Sequence, residues 1–284
     1  MYKVLYSDID RSVNFIHKFD GHLYESRYVK RRNDDFTCYL SSHSGCKYGC
    51  KFCHLTATKQ TTFREATVEE IKIQAKRVVE HERSHHAVPT YESSQVNFSF
   101  MARGEALASS TVREQWNRLS LHLSSLVPEK MVTYNISTIM PRSVVGLSKS
   151  FDINHPQIYY SLYSIDEDFR MRWMPGAMGW RRALEELKKY QDYSQKIVKI
   201  HGALIKNGND DLDMWHKICD EIQNIGLITT IQFVRYNPAS QELSGVESDL
   251  LQTITSEINR RIPTRIIDRV GEDVHASCGM FVSE

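Results

Sequence analysis

The sequence lacks any run of about eighteen apolar residues, so no stretch of it can cross a bilayer as a helix. A charged-then-apolar leader is also absent from its start, Met1-Tyr2-Lys3-Val4, which argues against secretion. Net charge is nearly absent: 36 Lys and Arg stand against 35 Asp and Glu, so the whole-chain field speaks neither for nor against a nucleic-acid partner. The basic clusters Lys30-Arg31-Arg32, Arg181-Arg182 and Arg260-Arg261 read as solvated surface or as local phosphate contacts. Cysteines are few and uneven, at 38, 46, 50, 53, 219 and 278, which excludes a secreted disulfide scaffold of this size. These deficits leave a soluble protein of a reducing cytoplasm, and 284 residues suffice for one substantial core, a length at which a barrel counts as one domain.

Three cysteines stand close together in Cys46-Lys47-Tyr48-Gly49-Cys50-Lys51-Phe52-Cys53. Thiolates at that spacing can bind three of the four irons of a cubane cluster and leave the fourth open to a chelating ligand. A zinc knuckle or a group of buried thiols is the blander alternative. Zinc, however, wants a fourth Cys or His at a fixed offset, and His54, adjacent to Cys53, is badly placed to supply it.

Around this loop the pattern alternates between strands and helices. Residues 1–20 read as a partial helix or arm, and His22–Tyr28 with Phe36–Leu40 as a β-hairpin leading into the loop. Thr67-Val68-Glu69-Glu70 has the form of a capping box, opening a helix whose face carries Val68, Ile71, Ala75, Val78 and Val79. Strands are expected over 95–101, 132–137, 158–163, 197–205, 228–235 and 265–270. The intervening helices carry Val112, Trp116, Leu119 and Leu123; then 180–190, after an interruption at Pro175-Gly176; then Leu212, Trp215, Ile218, Cys219 and Ile222, closed by Gly226; then Leu250, Leu251, Ile254 and Ile258. Six such units predict an α/β fold with a parallel sheet forming an open or partial (β/α)6 barrel. Chemistry in such folds gathers at the carboxyl ends of the strands, where Glu105, Ser137, Ser161 and Asn237 also fall. Taken as residues alone, Glu25 reads as a solvent-facing strand carboxylate, and Cys38 and Cys219 as small core residues.

The cysteine spacing resembles that of the radical S-adenosylmethionine (SAM) superfamily. That implies Cys46, Cys50 and Cys53 as ligands of a [4Fe-4S] cluster with SAM on its unique iron. Further stretches narrow the resemblance: Ser41-Ser42-His43-Ser44-Gly45-Cys46, Phe100-Met101-Ala102-Arg103-Gly104-Glu105-Ala106-Leu107, Ile136-Ser137-Thr138-Ile139, Ser161-Leu162-Tyr163, Arg235-Tyr236-Asn237-Pro238 and Gly271-Glu272-Asp273-Val274-His275-Ala276-Ser277-Cys278-Gly279. In this order they resemble the radical SAM adenine methyltransferases of the RlmN/Cfr type, with motifs closer to Cfr, from about Glu25 to Phe281. The resemblance implies methylation of an sp2 carbon of adenine in ribosomal or transfer RNA. By it, Cys278 carries a methyl group in transit, Glu25 accepts the proton from the base carbon, and Cys38 attacks the sulfur of Cys278, leaving a disulfide. Gly104, Glu105, Ser137, Ser161, Leu162, Tyr163 and Asn237 would hold SAM. A reducing partner such as flavodoxin or ferredoxin, a monomeric state and no membrane partner complete the expectation.

The division expected is an arm and hairpin over 1–40, the barrel over 41–270 and a catalytic tail over 271–284, without the family's usual N-terminal helical domain. Four departures are visible. Cys38 lies eight residues before Cys46 where the family has seven, which a bulge between Cys38 and Ser41 could restore. Arg103 brings a positive charge beside the SAM-binding Gly104-Glu105. Tyr163 replaces a histidine, and the segment after Ile139 is two residues short, which favours Ser137 as the SAM contact and leaves Asn135 as the alternative. Two other readings stand beside this one: a radical SAM enzyme of another class, and a non-catalytic iron–sulfur or nucleic-acid-binding relative.

Overall fold

The computed structural model describes residues 3–85 and 93–283. The strands are β1 (Lys3–Tyr6), β2 (Val13–Phe19), β3 (His22–Val29), β4 (Asp35–Leu40), β5 (Gln95–Phe100), β6 (Met131–Thr138), β7 (Gln157–Ser161), β8 (Val198–Ala203), β9 (Thr229–Val234) and β10 (Thr264–Ile267). All ten join one sheet in sequence order. The pairs from β1 to β4 are antiparallel, and those from β4 to β10 are parallel. β4 thus belongs at once to the hairpin and to the barrel.

The first twenty residues are strands, not the partial helix or arm expected. Asp20 and Gly21 adopt φ of +48° and +81° between Phe19 and its partner His22. Such a two-residue turn twists in the same sense as the strands it joins, and Asp-Gly is the pair that tolerates it. This hairpin signal was readable in the sequence.

The helices are α1 (His54–Ala57), α2 (Val68–His85), α3 (Ser110–Glu114), α4 (Trp116–Ser124), α5 (Glu167–Trp173), α6 (Trp180–Ser194), α7 (Leu212–Ile225) and α8 (Ser248–Asn259). α2 begins with the expected capping box: Glu70 N donates to Thr67 Oγ1 at 3.2 Å and Thr67 N to Glu70 Oε2 at 2.9 Å. The helix expected through Val112 and Leu123 is broken into α3 and α4 at Gln115, whose φ of −110° and ψ of 20° leave the helical well. Gly226, at φ +70°, ends α7 in the left-handed conformation that glycine adopts without steric cost. Among the described residues no helix is long and apolar enough to cross a membrane.

The sheet has two unlike faces. Phe36, Cys38 and Leu40 of β4, Val96 and Phe98 of β5, Ile136 of β6, Ile158 and Tyr160 of β7, Val198 and Ile200 of β8 and Ile231 and Phe233 of β9 pack into the main apolar core. That core also holds Ile71, Ala75 and Val78 of α2, Leu184 and Leu187 of α6 and Trp215 and Ile218 of α7. The alternate residues face the other way. Thr37 and Tyr39, Asn97, Thr133 and Asn135, Tyr159, Lys199 and His201, Gln232 and Arg265 all line one cavity of 790 Å³. Side chains from every parallel strand reach one space only if the sheet curves around it, so the fold is a partial barrel with a polar lumen. Residues after β10 form no regular element and cross the carboxyl ends of the strands as a tail.

Candidate active site

Cys46, Cys50 and Cys53 sit in the loop after β4, and all three line a second, smaller cavity of 150 Å³. Burial pushes the Cys46 thiol up to about 12 and raises Cys50 and Cys53 as well. Buried thiols in that condition take a negative charge only when a metal ion offsets it. Among the described residues no three His, Cys, Asp or Glu side chains converge tightly enough for a single metal ion. A cubane cluster needs no such convergence, since each iron takes one thiolate.

The wall opposite the cysteines is built for a zwitterion. Gly104 has φ of +99°, and a Cβ there would stand 2.6 Å from His43 Nδ1 and 2.8 Å from Ser42 Oγ, so only glycine fits. Glu105 follows it into the cavity, where its carboxylate accepts from Leu107 N at 3.2 Å and Ile139 N at 3.1 Å. No hydrogen bond or ion pair joins it to a cation among the described contacts. Desolvation accordingly raises its pKa to about 7. An arriving ammonium would supply the missing positive charge. Ser137, Ser161, Tyr163 and Asn237 line the same cavity, and Tyr163 stacks on Phe52 with ring centroids 4.0 Å apart. Asn237 Oδ1 is buried and has no hydrogen-bond partner, leaving an acceptor for a ligand. Leu162 differs: its side chain is fully buried in the main core, so only its backbone can face the site. Three thiols with no fourth protein donor among the described residues, a carboxylate awaiting a cation and an unmatched amide oxygen fit a [4Fe-4S] cluster with SAM.

Cys278 lies where both cavities meet. Asn237 Nδ2 donates to Cys278 O at 2.8 Å and to Ser277 Oγ at 2.9 Å, while His54 N donates to Gly279 O at 3.1 Å, fixing the tail over the cluster loop. The Cys278 side chain is exposed and lines both cavities. Its surroundings desolvate the thiol and push it up to about 11.

Two expected catalytic residues are not in this space. Cys38 is fully buried on the helix-facing side of β4, which alternates without a bulge through Leu40. Tyr39, seven residues before Cys46, is the residue that faces the lumen. The eight-residue spacing therefore does what a one-residue register slip must do: it turns the thiol to the opposite face. All cysteines among the described residues are free, so no Cys38–Cys278 disulfide exists.

Glu25 is fully buried but lines neither cavity. Its carboxylate accepts from Arg103 Nη1 at 2.8 Å, Arg27 Nη2 at 2.9 Å, Asn14 Nδ2 at 3.0 Å and Val282 N at 3.1 Å. With four donors on it, Glu25 is not a free proton acceptor. Arg27 also holds Met280 O at 2.6 Å, and Arg103 holds Val282 O at 3.1 Å and Gln60 Oε1. The group is an ionic clasp on the tail, and Arg103, seen in the sequence as a charge beside SAM, instead answers Glu25.

No protein-family model matches the chain. It is 26% identical over 262 residues to the dual-specificity RNA methyltransferase RlmN of Wolinella succinogenes, covering 90% of this chain and 69% of that protein. With a probable dual-specificity RNA methyltransferase RlmN of Clostridium botulinum it shares 25% over 291 residues, 98% of this chain and 78% of the relative. A crystal structure of a radical SAM methyltransferase from Sphaerobacter thermophilus superposes with a TM-score of 0.79 at 17% identity, covering 99% of this chain and 80% of that one. The fold is a radical SAM fold.

Sequence reasoning missed Tyr39, His201, Lys199 and Arg27, all of which line the lumen. The signal was present. Lys199-Ile200-His201 alternates polar and apolar inside a parallel strand, whereas a parallel strand covered on both faces is apolar throughout.

Proposed function

We propose that this chain is a radical SAM methyltransferase that methylates an sp2 carbon of adenine in RNA, with Cys278 carrying the methyl group. Its cofactors are a [4Fe-4S] cluster on Cys46, Cys50 and Cys53 and SAM. The observation that carries the reading is the position of Cys278 at the junction of the thiol-lined cavity and the lumen. Bound there, the cluster and SAM supply an electrophilic methyl group and a one-electron route to hydrogen abstraction. Glu105 would take the methionine ammonium, with Ser137, Ser161, Tyr163, Asn237 and the Leu162 backbone completing the cradle. The Glu25 clasp holds the tail so that Cys278 stays at the mouth. The lumen can admit a flipped base, and Arg31, Arg32, Arg265 and Arg269 at its edge suit the flanking phosphates. A cytoplasmic setting, a monomer and a low-potential reductant such as flavodoxin or ferredoxin fit this reading.

Cys38 cannot release the product from across the sheet, so the reading requires a thiol from outside the chain. Anaerobic reconstitution with methyl-labelled SAM, then peptide mass spectrometry, should find the label on Cys278. A bare thiol after incubation with SAM in the absence of RNA would overturn the reading. Tyr39 in the lumen, at the spacing expected of the second thiol, favours one alternative: a radical SAM enzyme that uses no covalent cysteine. That alternative predicts that Cys278→Ala still gives product and 5′-deoxyadenosine together.

A further inference from the structure

Within hydrogen-bonding reach of the Cys278 sulfur stands a residue that no motif marks: His201, whose Nε2 is 3.7 Å from Sγ. β8 presents His201 inward beside Gln232 of β9, and the Tyr159 ring of β7 stands edge-on at 6.4 Å. From the other side the tail holds Cys278 in place through Asn237, so the pair is set by two separately anchored elements. We propose that His201 is the general base that takes the proton of Cys278 when its sulfur attacks an electrophilic carbon.

The pair needs such a step. With its thiol near 11, Cys278 alone would be ionised in roughly one molecule in ten thousand at neutral pH. Burial lowers His201 to about 4, so its ring is neutral, and in the tautomer protonated at Nδ1 its Nε2 accepts from the thiol. The other charged or titratable groups around the pair include Lys199 two residues back on β8, Tyr159 on β7, Tyr163 just after β7, Arg27 and Arg31 from the hairpin, and Cys53 from the cluster loop. Of these, Arg27 and Arg31 favour the thiolate and Cys53 opposes it.

The sulfur lone pair forms an S–C bond to a sulfonium methyl, the methyl–sulfonium bond breaks with its electrons to the departing thioether, and the thiol proton moves to Nε2. The positive charge passes from sulfonium to imidazolium, which then loses its proton through the lumen. This assignment rests on the proposed function only for the identity of the electrophile.

The test is therefore made with a different electrophile. In anaerobic, cluster-loaded protein, iodoacetamide alkylation of Cys278 is followed by peptide mass spectrometry across pH, for wild type and His201→Gln. With His201 as base, the variant should react about 100-fold more slowly near neutral pH and match wild type above about pH 11, where the thiolate forms unaided. Exogenous imidazole should restore the rate of His201→Ala. Superposed profiles at every pH would overturn the assignment. Should either variant fail to fold, wild type still decides: a normal solvent isotope effect on the neutral-pH rate supports proton transfer in the rate-limiting step, and an inverse one refutes it. A His201-dependent profile with no methyl on Cys278 would remove the proposed function and leave the dyad standing.

Discussion

Two carboxylates, Glu25 and Glu105, show how environment decides what a residue can do. Both are buried, but Glu25 is neutralised by two guanidiniums while Glu105 has only backbone and hydroxyl donors. An ammonium docking on Glu105 favours its ionised form, so its pKa should fall from about 7 when SAM binds. Binding measured near that pH should release protons, and affinity should decline as pH drops through it; calorimetry in buffers of different ionisation heat reads both effects. Glu105→Gln removes a charge-assisted contact worth about 1.5 to 3 kcal/mol, a loss of roughly tenfold to a hundredfold in SAM affinity. Glu25 should behave oppositely. Glu25→Ala strands two buried cations and should destabilise the fold by about 3 to 5 kcal/mol, read as a lower midpoint in denaturant. Faster alkylation of Cys278 in the same variant would show the tail released. If Glu25 acted only as a proton acceptor, stability would be unchanged.

At the scale of the element, β4 is decisive, because its two faces meet different worlds. Phe36, Cys38 and Leu40 pack against the helices, while Thr37 and Tyr39 look into the lumen. Native protein should therefore leave Cys38 unmodified by iodoacetamide while Cys278 reacts. In Tyr39→Cys the new thiol should be modified through the lumen, and equal reactivity at Cys38 would refute the register. The strand itself was legible from its alternation, and residue type alone put Cys38 in the core, but that the opposite face opens on a lumen was not legible. Apolar and polar residues alternate equally well in either phase until one face is known to be wet. The same blindness hid β1 and β2, whose short runs carry little periodicity, although Asp20-Gly21 marked the turn after them.

For the whole molecule, a net charge of +1 conceals a segregated distribution. Arg27, Arg31, Arg32, Lys196, Lys199, Arg235, Arg265 and Arg269 line the lumen against only Asp35 and Asp268. Such a concave basic surface concentrates a polyanion that the molecule as a whole would not attract. If the lumen edge holds RNA phosphates, log affinity should fall linearly with log salt. Arg32→Ala and Arg265→Ala should each reduce that slope by roughly 0.7, as single-stranded contacts do. Filter binding or fluorescence anisotropy across a salt series reads this, and an unchanged slope would place the RNA elsewhere.

By itself the sequence determined the cysteine loop, the order of strands and helices, the capping box on α2 and the group of residues that line the thiol cavity. All of these are local: ligand spacing, turn chemistry and periodicity are set by neighbours within a few residues. What only the tertiary structure decided depends on contacts between residues 41 to 253 positions apart. The tail returns to lay Cys278 beside His201 because Asn237, Arg27 and Arg103 grip it from three elements. Tyr39 rather than Cys38 shares the lumen with that sulfur because the curvature of the sheet, which no single strand encodes, fixes which face of β4 becomes the lumen.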